Sequence, residues 1–149
     1  MTARLFLTIV TLLFFGMLLA NPGHTEENLQ QLVARADAAS MEDRPALYIE
    51  IAERQLKLTG DFYRRGQISE AREAVSDVVT YAQKAHDASA QTGKRLKSTE
   101  IAIRKMAARL RDIKTTLNFE DQASVQAASD RLEDMRTDLM SRMWNGKRK

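Results

Sequence analysis

The sequence predicts an all-α fold, an elongated antiparallel helical bundle built from coiled-coil hairpins, and three observations point there. Ala, Leu, Arg, Gln, Glu, Lys and Met, all good helix formers, dominate the composition. Pro22 and Pro45 are the only two prolines in the chain. Apolar residues recur at helical spacing from Leu29 onward, and no stretch alternates as a half-buried strand would.

The N-terminal segment stands apart from that pattern. Arg4 supplies a short positive region, and Leu5 to Ala20 run sixteen residues without a charge, which is the grammar of an export signal. The run falls short of the roughly 20 residues a spanning helix needs, and Gly16 and Asn21-Pro22-Gly23 break a helix at its far end. Cleavage after Ala20 is expected. Leu18, where a small residue is preferred, leaves an uncleaved N-terminal anchor as the alternative. No Cys follows the run, which excludes a bacterial lipid-anchored form. The expected organisation is a signal peptide at 1–20 and one helical domain at 21–149, working in the periplasm or as a secreted protein.

Removing 20 residues from 149 leaves 129, enough for one domain with a core of its own. With no Cys anywhere, neither disulfides nor thiolate chemistry contributes, so packing must hold the fold together. Losing Arg4 with the signal leaves 22 basic side chains against 20 acidic ones, a balance that argues against a dedicated nucleic-acid binder.

The first helix is expected from about Glu26 to Ala39, with Leu29, Leu32, Val33 and Ala36 on one face and Thr25 as N-cap. Ser40 to Asp43 reads as a turn, and Pro45 sits where helix starts tolerate it. The second helix, about 44–65, carries an apolar stripe of Leu47, Ile51, Leu58 and Phe62. On its wet side Glu50 and Arg54, Glu53 and Lys57, and Asp61 and Arg65 stand four apart in the favourable order. Gly66 closes this helix, and Ser69 with Glu70 and Glu73 opens the next.

From Ala71 a strict seven-residue repeat begins. One set of seam positions is Val75, Ala82, Ser89, Leu96, Ile103, Leu110 and Leu117; the other is Ala71, Val78, Ala85, Thr92, Thr99, Met106 and Ile113. Because the register passes through Gly93 unbroken, the expectation is one long helix over about 69–117, roughly 70 Å at 1.5 Å per residue. A kink or break at Gly93 is the alternative, since Ala85, Ser89, Thr92 and Thr99 make a small, polar seam there. Leu117-Asn118-Phe119 ends the helix. A final helix over about 120–144 then presents Val125, Ala128, Leu132, Met135, Leu139 and Met143 inward.

So short a connection folds the last helix back antiparallel on residues 94–117, and charge supports the pairing. Residues 94–114 hold eight basic side chains against two acids, and residues 119–138 hold six acids against Arg131 and Arg136. Opposed arms of this kind specify a partner more than they stabilise it.

Residues from about Gln55 to His86, with Phe62 in the first helix, the turn glycine Gly66, Ser69-Glu70-Ala71 opening the second helix, and Val75 and Val78 inward, resemble a single tetratricopeptide-type helical hairpin. The resemblance covers about a quarter of the chain. It lacks the family's aromatic at the start of the first helix, its closing proline and a second copy, whereas stacked repeats normally need three or more. It implies a helical hairpin and carries over no peptide-binding role.

Candidate chemistry is sparse. His24 and His86 are the only two histidines. Gln83 stands three residues before His86 where a di-iron bundle would place glutamate, and Asp87, adjacent in sequence, is expected to point away from the ring. His86 is therefore expected as an exposed or half-buried helix residue. Glu50 and Glu53 share a face but lack a third ligand, and read as solvated. No strand precedes a glycine-rich loop, and no serine sits in a nucleophile elbow, so the chain is not expected to be an enzyme and no cofactor is implied. Met135, Met140 and Met143 are candidates for soft cuprous or silver ions, set against core packing as their first role. Trp144 is expected to cap the bundle, with an interface or membrane anchor as its alternative, and 146–149 to form a solvated basic tail able to touch acidic lipid or an anionic cell-wall polymer.

The expected function is an exported, non-enzymatic interaction or scaffold module of the cell envelope. Its partner would be a protein, with a homodimer possible, no nucleic acid, and membrane contact only through the signal or the tail. A periplasmic holdase chaperone or stress sensor is one alternative, and soft-metal binding through the C-terminal methionines is the other.

Overall fold

The structure, a computed structural model, describes residues 28–146. The export segment with its cleavage point, Thr25, His24 and the tail residues 147–149 lie outside them. Five helices make up the described chain: α1 Leu29–Ala38, α2 Arg44–Arg64, α3 Ile68–Thr92, α4 Leu96–Thr115 and α5 Phe119–Gly146. No described helix is long and apolar enough to cross a membrane.

Local chemistry sets most of the boundaries. α1 starts at Leu29, later than expected, because Asn28 forms a capping box with Gln31: Asn28 Oδ1 accepts from the Gln31 amide at 2.8 Å, and Gln31 Oε1 accepts from the Asn28 amide at 3.2 Å. Gly66, at φ 71°, closes α2, with the Gln67 amide donating to the Phe62 carbonyl at 2.9 Å in the manner of a Schellman cap. Gly146, expected as the start of the tail, is instead the last residue of α5.

The long helix over 69–117 does not exist. Gly93 adopts a left-handed conformation at φ 68° and Arg95 follows at φ 57°, so the chain turns and α3 and α4 become separate helices. A left-handed residue other than glycine costs about 1–2 kcal/mol. Arg95 offsets that cost by donating to the Glu42 carbonyl at 2.8 Å and to Asp43 Oδ1 at 3.1 Å. At the corner Ser89 and Thr99, both buried, share a hydroxyl hydrogen bond of 2.8 Å. The small, polar seam of the heptad is the place where the chain folds back on itself. Turning is favoured because a straight helix would leave each half covered along one side only, whereas two shorter helices bury their seams in a common core.

The result is two antiparallel hairpins, α2/α3 and α4/α5, lying side by side. Arg72 of α3 meets Asp121 of α5 at 3.0 Å and His86 meets Asp138 at 2.7 Å, so α3 and α5 run parallel. Between them lie Val78, Ile103, Leu110, Val125, Leu132 and Leu139, all fully buried. α1 packs on α2 at one end of the first hairpin, where Leu32 and Ala36 share a buried cluster with Tyr48, Ile51 and Ala85.

The inward face of α2 is rotated from the expected stripe. Tyr48, Ile51, Ala52, Gln55, Leu56 and Thr59 are buried, whereas Leu47, Leu58 and Phe62 are only half-buried. Two polar side chains could take core positions because each has a partner: Gln55 Nε2 donates to Asp77 Oδ2 at 3.0 Å, and Thr59 Oγ1 to the Gln55 carbonyl at 2.9 Å.

Candidate functional site

A groove of about 730 Å³ lies between the start of α4 and the end of α5. Leu96 and Ile101 of α4 and Met140, Met143 and Trp144 of α5 supply its apolar lining. Lys97, Arg104, Arg136 and Arg142 supply cations and Glu100 the single carboxylate. A shallower depression at the Gly93–Arg95 corner adjoins it and shares Leu96, Lys97, Ile101 and Met143.

Helix periodicity explains the arrangement. Leu132, Met135 and Leu139 point into the core at spacings of three and four, so Met140 and Trp144, four apart, fall on the neighbouring outer face. Met140 is 47% exposed and Trp144 63%, and the chain's remaining exposed large hydrophobic among the described residues is Phe119, at the opposite end of α5. Trp144 thus lines the groove and does not cap the bundle.

Ion pairs fix one wall. Arg136 donates from Nε to Glu100 Oε1 at 2.9 Å and from Nη1 to Glu133 Oε2 at 3.1 Å, while Arg111 reaches Glu133 Oε1 at 2.8 Å. Arg111 first, then Arg136, holds the Glu133 carboxyl below the usual carboxylate range. Glu100 and Glu133 in turn raise Arg136 further above its already high value. The expected attraction between a basic α4 and an acidic α5 is thus realised at Arg111–Glu133, and reversed at Glu100–Arg136. Lys97 makes no ion pair among the described residues, and the nearest carboxylate to Arg104 is Glu100 at 3.8 Å.

Of the three candidate thioethers, Met140 and Met143 share the groove, whereas Met135 lies in the core. Among the described residues no three His, Asp or Glu side chains gather as metal ligands do. Glu50 is held by Arg54 at 2.7 Å and Arg35 at 3.4 Å, and Glu53 is exposed.

His86 departs from its expected place. It is 9% exposed, with Nε2 at 2.7 Å from Asp138 Oδ2 and Nδ1 at 2.8 Å from Asp87 Oδ1. Asp87 does not point away: its short side chain bends back along the helix surface, where Gln83 also donates to it at 2.7 Å. Asp138 is held below the usual carboxylate range by Arg142 first and by His86 second. The His86–Asp138 contact joins α3 to α5.

No family model, curated protein or solved structure matches the chain. The tetratricopeptide-like stretch forms a helical hairpin, α2/α3, without a family match. The groove therefore has to be understood from its own residues. Sequence reading missed Lys97, Ile101 and Arg104 as groove residues. The available signal was the off-stripe pair Met140 and Trp144. The partnership of His86 with Asp138, 52 residues apart, had no local signal.

Proposed function

We propose that this protein is a non-enzymatic interaction module of the cell envelope that receives a protein partner in the α4/α5 groove. The carrying observation is the concentration of exposed apolar surface: Met140 and Trp144 stand side by side, next to half-buried Leu96, Ile101 and Met143 and inside a basic rim. An exposed apolar patch with a polar rim is the usual form of a docking site. Methionine suits such a surface because its flexible thioether repacks against different shapes. The export grammar of residues 1–20 supports a partner beyond the cytoplasm.

Site-specific photo-crosslinking in the native envelope tests this. A photoreactive residue at position 140 is expected to give a discrete protein adduct, and one at exposed position 57 on α2 is not. Equal adducts at both positions, or none at 140, would refute the reading.

A further inference from the structure

We infer that the occupant of the groove is an amphipathic α-helix with acidic flanks, contributed by another protein and seated on α4/α5 as α1 is seated on α2/α3. The inference rests on the docking role proposed above and adds the chemistry of the partner.

The first support is internal to the fold. α2 begins, α3 ends, α4 begins and α5 ends at the same end of the bundle, where Arg95 ties the α3/α4 corner to Glu42 and Asp43. There α1 packs on the early turns of α2, and its Leu32 and Ala36 join Tyr48, Ile51 and, from the late turns of α3, Ala85 in one buried cluster. The groove occupies the corresponding place on the second hairpin, the early turns of α4 and the late turns of α5. One hairpin is covered by a helix of its own chain, and the other is open.

Dimensions agree. α1 has 10 residues, or about 15 Å of helix. The groove follows α5 from Arg136 to Gly146, again about 15 Å. α1 presents Leu29, Leu32, Val33 and Ala36, an i, i+3, i+4, i+7 pattern, and the same pattern on a partner would meet Leu96, Ile101, Met140 and Trp144.

Charge selects among occupants. Of the four cations that line the groove, Arg136 is already paired with Glu100 and Glu133 and Arg142 with Asp138, which leaves Lys97 and Arg104 to select the occupant. Lys97 and Arg104 are exposed and face the opening with little or no carboxylate of their own. A second copy of this chain docking face to face would set those cations against themselves, which disfavours self-association. Glutamates or aspartates flanking an apolar stripe complete the rim, as Glu50 of α2 does for Arg35 of α1 at 3.4 Å.

The test uses the full chain and synthetic helices of about 15 residues, long enough to hold a helix when bound. Both lack tryptophan and carry the same apolar stripe, one flanked by Glu and the other by Lys. Trp144 is the one tryptophan in the sequence, so its emission reports on the groove alone. The Glu-flanked helix is expected to shift Trp144 emission to shorter wavelength and to bind roughly tenfold more tightly than its Lys counterpart, about what two exposed ion pairs, at Lys97 and Arg104, supply. That preference should weaken with added salt and vanish in Lys97→Gln/Arg104→Gln, whose exposed positions leave the fold intact. Equal binding, or preference for the Lys-flanked helix, overturns the inference. So does a Trp144 shift produced only by phosphatidylglycerol vesicles, or by self-association seen in sedimentation. The docking role is tested separately by the adduct at position 140, so an adduct mapping to a non-helical or basic segment overturns the inference and leaves that role standing.

Discussion

The corner between α3 and α4 can be tested through the two hydroxyls it joins. Ser89 and Thr99 are 0% and 2% exposed and lie 2.8 Å apart through their oxygens. In a continuous helix, residues ten apart would be separated by about 15 Å and could not interact. Replacing Ser89 by Ala, or Thr99 by Val, leaves the other hydroxyl buried without its partner, at a cost of about 1–3 kcal/mol. The cost lies toward the lower end, because a helix hydroxyl can turn to the carbonyl four residues back. Removing both groups together eliminates the unsatisfied hydroxyl, so the double variant is expected to be close to the parent, and the cycle should return a coupling of about 1–2 kcal/mol. Equilibrium urea unfolding of the four proteins measures it. Single costs that add to within about 0.3 kcal/mol would show that the residues do not touch and would refute the turn at Gly93.

Other outcomes follow from the same geometry. Gly93→Ala should destabilise by about 1 kcal/mol from backbone strain alone, since a Cβ there meets nothing within 4 Å; an unchanged urea midpoint would contradict the left-handed turn. Leu132→Ala empties a fully buried position between the hairpins and should cost about 2–5 kcal/mol in the same assay, against less than about 1 kcal/mol for exposed Trp144→Ala. Asp138 and Glu133 titrate below the usual range when folded, chiefly through Arg142 and Arg111, so their stabilisation is present above the unfolded-state values and is lost as pH falls through the folded ones. Urea midpoints should accordingly decline from about pH 4 downward, with a shallow slope because both groups are partly solvated, and Asp138→Asn should reduce it. A midpoint that rises on acidification through this range would contradict the sign.

Much of the core was legible because helical periodicity is local. Every seam position from Ala71 to Ile113 is buried or half-buried, and five of the six stripe residues of α5 are buried. The break at Gly93 was harder to place for the same reason. A turn at Gly93–Arg95 that keeps the seven-residue register returns each seam to the core, so continuity of pattern does not report continuity of helix. The α2 stripe of Leu47, Ile51, Leu58 and Phe62 counts apolar residues alone and so omits Gln55 and Thr59; their partners, Asp77 and a backbone carbonyl, are what admit them to the core. The site was less legible than the fold, since its lining joins residues about 40 apart, such as Ile101 and Met140. His86 shows the limit most plainly, because its partner Asp138 is supplied by a helix packed alongside and not by its own neighbours in the chain.

Energetics also constrain what kind of binding the groove can support. Covering the exposed part of Trp144 removes on the order of 100 Å² of apolar surface, about 2.5 kcal/mol at 25 cal/mol per Å². Met140 and the partly open Leu96, Ile101 and Met143 add to this, and rim charges contribute about 0–1 kcal/mol each. Association opposes these gains with a loss of translational and rotational freedom of about 4–15 kcal/mol, plus the ordering of flexible Met140, Met143 and Lys97. The gain and the cost are of the same order, so a single short helix in this groove should bind reversibly and respond to salt. α1 escapes that cost because it is tethered to α2 by the short 39–43 connection and its docking is intramolecular. The difference between the two hairpins is therefore one of connectivity: a helix held on a short tether remains seated, whereas a helix arriving on a separate chain, as proposed for the groove, would exchange.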